Sequence, residues 1–216
     1  MSYENHQGIR VIQYTAARRC PTPCLMLDRD GVLVQEVHHL RRRNDVHIAR
    51  GATDLIRQAR ADDWLVCVVT NQSGIARGLL SWDSYEEVED QIRLLLQAEG
   101  LGVDMVLACP FHPDYTPDYN CVHAYWRKPG CGMIDLARQR LNVWLTRSWI
   151  IGDRASDLEA GRRAGLAGGV LIQTGYGKEH LSQALAQRNE HFEVCIAADM
   201  VEAAKYVRDG FAGGAT

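Results

Sequence analysis

Cys24-Leu25-Met26-Leu27-Asp28-Arg29-Asp30-Gly31-Val32 is the stretch from which the fold can be read. Its four apolar residues stop at a charged Asp28, the pattern of a strand buried on both faces. The pattern returns at Trp64-Leu65-Val66-Cys67-Val68-Val69, where Cys67 sits as a small hydrophobe. It returns again at Val103 to Ala108, Trp149-Ile150-Ile151 and Val170-Leu171-Ile172. Helical periodicity fills the gaps. Ala52 to Ala61 carries Leu55, Ile56 and Ala59 on one face. A helix capped by Ser81 or Ser84 runs to about Glu99, with Tyr85, Val88, Ile92, Leu95 and Leu96 at helical spacing. Helices follow at about Met133 to Leu141 and Ala155 to Ala164, and Val194 to Tyr206 reads as one more strand and helix. Strands alternating with helices give an α/β fold, a Rossmann-like parallel sheet with helices on both faces. Residues 1–22 are polar and irregular and read as an N-terminal arm, with residues 23–210 as the domain.

Bulk properties narrow the function classes. A chain of 216 residues makes one domain. Lys plus Arg is 24 and Asp plus Glu is 27, a net charge of −3. No basic surface follows from that balance, so no nucleic-acid partner is expected. No apolar run reaches about 18 residues, so no membrane span is expected. Met-Ser-Tyr-Glu-Asn-His-Gln lacks the basic-then-apolar pattern of a leader, which points to the cytoplasm. The seven scattered cysteines read as reduced thiols or metal ligands. A monomer is expected.

Ligands of parallel sheets bind beyond the carboxyl ends of the strands. The first strand ends in Asp28-Arg29-Asp30-Gly31-Val32 and the second in Thr70-Asn71-Gln72-Ser73-Gly74. The loop after the third carries Arg127-Lys128-Pro129, and the fourth ends in Gly152-Asp153-Arg154-Ala155-Ser156-Asp157. Topology therefore brings three acids, a hydroxyl and a lysine to one edge. That set suits phosphoryl transfer. A carboxylate can attack phosphorus, and a second one two residues on can protonate the leaving oxygen. Magnesium needs hard oxygen ligands, and a lysine offsets phosphoryl charge.

As an ordered set these motifs resemble the haloacid dehalogenase (HAD) phosphatase superfamily. Leu27 to Gly31, Val69 to Gly78, Arg127-Lys128-Pro129 and Thr174-Gly175-Tyr176-Gly177 are closer still to one branch. It holds the heptose bisphosphate and histidinol-phosphate phosphatases. The likeness spans Cys24 to Gly177 and implies a HAD-like fold and a magnesium-dependent phosphomonoesterase forming an aspartyl phosphate. It implies Asp28 as nucleophile and Asp30 as general acid and base. Thr70, Asn71 and Gln72 would bind the phosphoryl group, and Lys128 would neutralise it. Asp28, Asp153 and the backbone carbonyl of Asp30 would hold the metal, with Asp157 orienting that loop. Arg127 and Arg154 are candidates for the rest of a small phosphorylated substrate. A heptose bisphosphate is the first expectation, and histidinol phosphate or another phosphosugar the alternative.

The related phosphatases commonly hold a structural zinc in the loop before Arg-Lys-Pro, through Cys-x-His and Cys-x-Cys pairs. Here the loop reads Cys109-Pro110-Phe111-His112 and then Cys121-Val122-His123. Two readings stay open. Cys109, His112, Cys121 and His123 can bind zinc tetrahedrally. Alternatively Tyr115, Tyr119, Tyr125 and Trp126 pack the loop without metal.

Only 41 residues separate Asp28 from Thr70, and neither that gap nor the next holds a large cap domain. A minimal cap and an open site shaped by Cys109 to Pro129 are expected. His38 and His39 read as surface histidines near its mouth. A phosphate-binding regulator without catalysis would lack one of Asp28, Asp30, Lys128 or Asp153, and all four are present.

Overall fold

The apolar run at 24–27 is a strand with all four residues buried. In this computed structural model, which describes residues 3–37 and 40–212, it is the third strand in the chain. His38 and His39 lie outside the described residues. Before it come β1 (Glu4–His6) and β2 (Ile9–Gln13). After β3 (Cys24–Leu27) follow α1 (Ala52–Ala61), β4 (Leu65–Asn71), α2 (Trp82–Ala98) and β5 (Met105–Cys109). Then come α3 (Cys121–Trp126), α4 (Gly132–Leu141), β6 (Trp149–Gly152) and α5 (Ala155–Ala164). The chain continues through β7 (Gly168–Ile172), α6 (Leu181–Leu185), β8 (Glu193–Ala197) and α7 (Met200–Ala212).

The sheet order is β1-β2-β5-β4-β3-β6-β7-β8. The six strands from β5 to β8 run parallel, as the alternation of strands and helices implies. Where an irregular arm was expected, residues 4–13 form an antiparallel hairpin that continues the sheet beyond β5. The reason is burial. Ile9, Val11 and Ile12 are each almost wholly covered, which a loose arm cannot achieve.

Alternation along each strand divides the core. Leu25, Leu27, Val66 and Val68 face α1, α2 and α7 on one side. Cys24, Met26, Leu65, Cys67 and Val69 face α4, α5 and α6 on the other. The second long helix begins where Ser81 caps it, its hydroxyl accepting the Ser84 N–H. Strand order reverses on either side of β3, which opens a crevice at its carboxyl end. No helix among the described residues is long and apolar enough to cross a membrane.

Candidate active site

Asp28 is the first residue beyond β3, and its N–H still bonds Ile151 O on β6 at 2.9 Å. The sheet thus fixes its backbone. Its Oδ1 accepts the Arg29 N–H at 2.8 Å and lies 3.0 Å from Lys128 Nζ. That lysine is 3% exposed; its Nζ donates to Val69 O at 2.6 Å and meets Asp157 Oδ1 at 2.7 Å. Burial works against its charge, but Asp157 and Asp28 outweigh it and hold the pKa above the usual lysine value.

Carboxylate oxygens of Asp28, Asp153 and Asp157 lie within 4.8 Å of one another, and all three residues are buried. Burial, then repulsion from Asp28 and Asp157, pushes Asp153 up to about 7. Its Oδ2 accepts the Tyr176 N–H at 3.0 Å, whereas its buried Oδ1 has no hydrogen-bond partner among the described residues. Three buried carboxylates, only two of them matched by Lys128, fit a hard divalent cation such as magnesium. Asp157, expected only to orient the loop, is a full member of this cluster. Its Oδ2 also accepts the Arg154 N–H at 3.0 Å.

Asp30 turns its carboxylate away from that cluster. Arg29 Nε and Nη2 reach its two oxygens at 3.1 and 3.0 Å, and Gln72 Nε2 donates to Oδ2 at 2.7 Å. Gln72 Nε2 also lies 3.0 Å from the buried Thr70 hydroxyl. Asn71 spends both ends of its amide on one residue. Its Nδ2 donates to Lys128 O at 3.0 Å, and its Oδ1 accepts Lys128 N–H at 3.1 Å. Asn71 thereby clamps the lysine that faces Asp28, a role its position in the motif did not reveal.

Asp28, Asp30, Thr70, Asn71, Gln72, Lys128 and Asp157 line one cleft of about 570 Å³, together with Arg77, Arg127, Arg154, His112, Tyr176 and His180. Arg127 Nη1 donates to Phe111 O at 2.9 Å. Burial lowers its pKa, and nearby Arg154 and Arg77 add to that. Arg77 lies over the Tyr115 ring, and Arg154 over the Tyr176 ring. The mouth is therefore cationic while the floor is anionic.

The four residues named as a zinc set are not brought together. Among the described residues the aspartate cluster is the only group of three or more ligand side chains close enough to share an ion. Cys109 is packed in the apolar core, and burial pushes its thiol up to about 12. Cys121 is exposed on α3, and His112 Nε2 is 3.1 Å from Arg77. The His123 ring lies between Phe111 and Tyr119, with centroids 4.4 and 5.8 Å away. Ring packing also ties the loop to the hairpin, because Trp126 meets His6 edge-on and Phe111 sits against Gly8.

Sequence reasoning missed Arg29, Glu89 and Tyr85. Arg29 is 1% exposed, and its Nη1 bonds Glu89 Oε1 at 2.9 Å. A signal was present. Glu89 follows Tyr85 by four residues and precedes Ile92 by three, so a carboxylate sits on the apolar stripe of α2.

The chain is similar to known phosphatases in sequence and in fold. The HAD-hydrolase-like family model matches residues 125–201. D-glycero-D-manno-heptose-1,7-bisphosphate 7-phosphatase of Thermosynechococcus vestitus is 34% identical over 194 residues, covering 87% of this chain and 96% of its own. The D-glycero-beta-D-manno-heptose-1,7-bisphosphate 7-phosphatase of Mesorhizobium japonicum is 40% identical over 155 residues, 69% of each chain. A crystal structure of D,D-heptose 1,7-bisphosphate phosphatase from B. bronchiseptica, complexed with magnesium and phosphate, superposes with a TM-score of 0.72. It has 32% identity and covers 87% of this chain and 99% of that one. A HAD-like phosphatase from Mesorhizobium loti gives 0.80 at 30% identity, over 96% of this chain and 95% of that one.

Proposed function

The chain belongs to the HAD-like phosphatases, in the family of the D-glycero-D-manno-heptose-1,7-bisphosphate 7-phosphatases, and from that membership we propose that it removes the 7-phosphate of a heptose 1,7-bisphosphate with magnesium. The observation that carries this reading is the buried trio Asp28, Asp153 and Asp157, two of which, Asp28 and Asp157, bind Lys128.

Each residue has a role in it. Lys128 and the Arg29 N–H hold Asp28 Oδ1, so Oδ2 attacks phosphorus. The Asp28–phosphorus bond forms as the ester P–O bond breaks, and Asp30 gives a proton to the leaving oxygen. Water then attacks the aspartyl phosphate while Asp30 takes up its proton. Inorganic phosphate leaves and Asp28 is restored. Lys128, held out of water, faces the charge that develops on the phosphoryl oxygens. The Thr70 hydroxyl receives one of those oxygens, and Asn71 acts through Lys128, whose backbone it holds at 3.0 and 3.1 Å. Asp28, Asp153, Asp157 and the Asp30 carbonyl would hold magnesium, which would supply further neutralisation of phosphoryl charge. Arg77, Arg127 and Arg154 at the mouth suit a substrate that carries a second anionic group. A cytoplasmic monomer acting on a small phosphosugar follows from the same reading.

The test is phosphate release from both anomers of the heptose bisphosphate, other phosphosugars, histidinol phosphate and a 3′-phosphorylated oligonucleotide, with magnesium and with chelator. Magnesium-dependent preference for a heptose bisphosphate is the expected result. Preference for histidinol phosphate would overturn the substrate, and turnover undiminished by chelator would overturn the metal.

A further inference from the structure

Asp30 does not stand alone beside the cleft. Its carboxylate is gripped at both oxygens by the guanidinium of the preceding residue, at 3.1 and 3.0 Å. Neighbours in sequence rarely lock one another, because a surface arginine is free to turn into water. Here that freedom is gone. Arg29 is 1% exposed and lies over the ring of Tyr85, 5.1 Å from its centroid. Its third edge, Nη1, meets Glu89 Oε1 at 2.9 Å, and Glu89 is 3% exposed. The groups facing this guanidinium are thus Asp30, Glu89 and Tyr85.

We propose that Glu89 is a positioning residue for the reaction: through Arg29 it fixes where the Asp30 carboxylate stands. This rests on Asp30 being the group that moves the proton. The anchor is rigid because α2 is rigid. Ser81 caps it, and Tyr85, Val88, Ile92 and Leu96 bury the stripe on which Glu89 lies. A residue 60 positions away from Arg29 therefore sets the geometry at the strand end. Without the Glu89 charge, Arg29 keeps one carboxylate partner, the partly exposed Asp30, and both swing toward water. Misplacement of a reacting group by about 1 Å costs on the order of 10²-fold in rate.

The experiment is a kinetic double-mutant cycle on the magnesium-loaded enzyme. Glu89→Gln is expected to lower kcat by about 10- to 100-fold, with KM and inhibition by inorganic phosphate within about 2-fold of the parent. In an Asp30→Asn background the same change is expected to have no further effect, because nothing remains to be positioned. Glu89→Asp keeps the buried charge and serves if Glu89→Gln does not fold. Its smaller kcat loss must also vanish in the Asp30→Asn background. A loss that multiplies in full with Asp30→Asn would overturn the inference, since Glu89 would then be merely structural. Unchanged kcat in Glu89→Gln, or in Glu89→Asp where Glu89→Gln does not fold, would overturn it too. If Asp30→Asn itself turns over at the parent rate, the reading of Asp30 fails and takes this inference with it.

Discussion

Replacing Asp153 by asparagine is expected to make the metal-free protein more stable while destroying its activity. The magnitude follows from the cluster. Asp153 titrates at about 7 in the folded chain against an ordinary 3.8, because burial and then Asp28 and Asp157 disfavour its charge. Between those pH values the folded chain keeps a proton that the unfolded chain has lost. Stability therefore falls as pH rises through that window and is lowest above it. At pH 8 the ionised carboxylate costs about 4 kcal/mol. Asparagine carries no charge, and its amide can donate to Asp28 and Asp157. Burying that amide offsets part of the gain, leaving about 2 kcal/mol, or roughly 4–8 °C in Tm for a chain of this size. The assay is thermal unfolding in chelator, followed by circular dichroism, at pH 8 and pH 5. A gap that is present at pH 8 and shrinks at pH 5 is expected. Adding magnesium is expected to raise the parent Tm and leave the variant where it was. A variant no more stable than the parent at pH 8 in chelator would refute the reasoning.

Three further outcomes follow from the same geometry. Asp28→Asn is expected to lower turnover by at least about 10³-fold with Tm within a few degrees of the parent; turnover near the parent rate would remove the covalent step. Asn71→Ala takes away both bonds to the Lys128 backbone, and about 1–3 kcal/mol of stability with them, measured by denaturant unfolding. Gly175 has φ +58°, and a Cβ there would collide with Asp153 Oδ2, so Gly175→Ala is expected to raise the magnesium concentration needed for half-maximal activity. A magnesium titration of activity checks it, and an unchanged midpoint would count against Asp153 as a ligand.

The site was legible where each functional group follows a buried strand. Asp28, Thr70 and Asp153 each sit just past or at the end of an apolar run, and topology does the rest. Helix bounds were legible where the chain marks its own ends. Ala155–Ala164 stops at Gly165 in the left-handed region, and Trp82–Ala98 starts at a serine cap. The hairpin was not legible because β1 reads Glu4-Asn5-His6, with no apolar residue to show its face. Its turn is Gln7-Gly8 with both φ positive, a tight turn without the usual Asn-Gly signal. The short α3 lacks periodicity and owes its start to Asn120, whose side chain accepts the Val122 N–H. The zinc reading failed because ligand type and spacing do not tell which way a residue at a strand end points. Cys109 turns into the core. Glu89 went unread because a lone acid on a helix is normally a solvated one.

The hairpin of residues 4–13 also governs how the molecule behaves among copies of itself. Without it β5 would form the border of the sheet, five buried apolar residues with their backbone groups unpaired. Such a border recruits any passing strand. The hairpin replaces it with a strand of three polar residues, too short to template another chain. A version trimmed to the motif-bearing core would retain every group of the proposed phosphate site and yet be drawn into aggregates, so its first residues are a determinant of solubility.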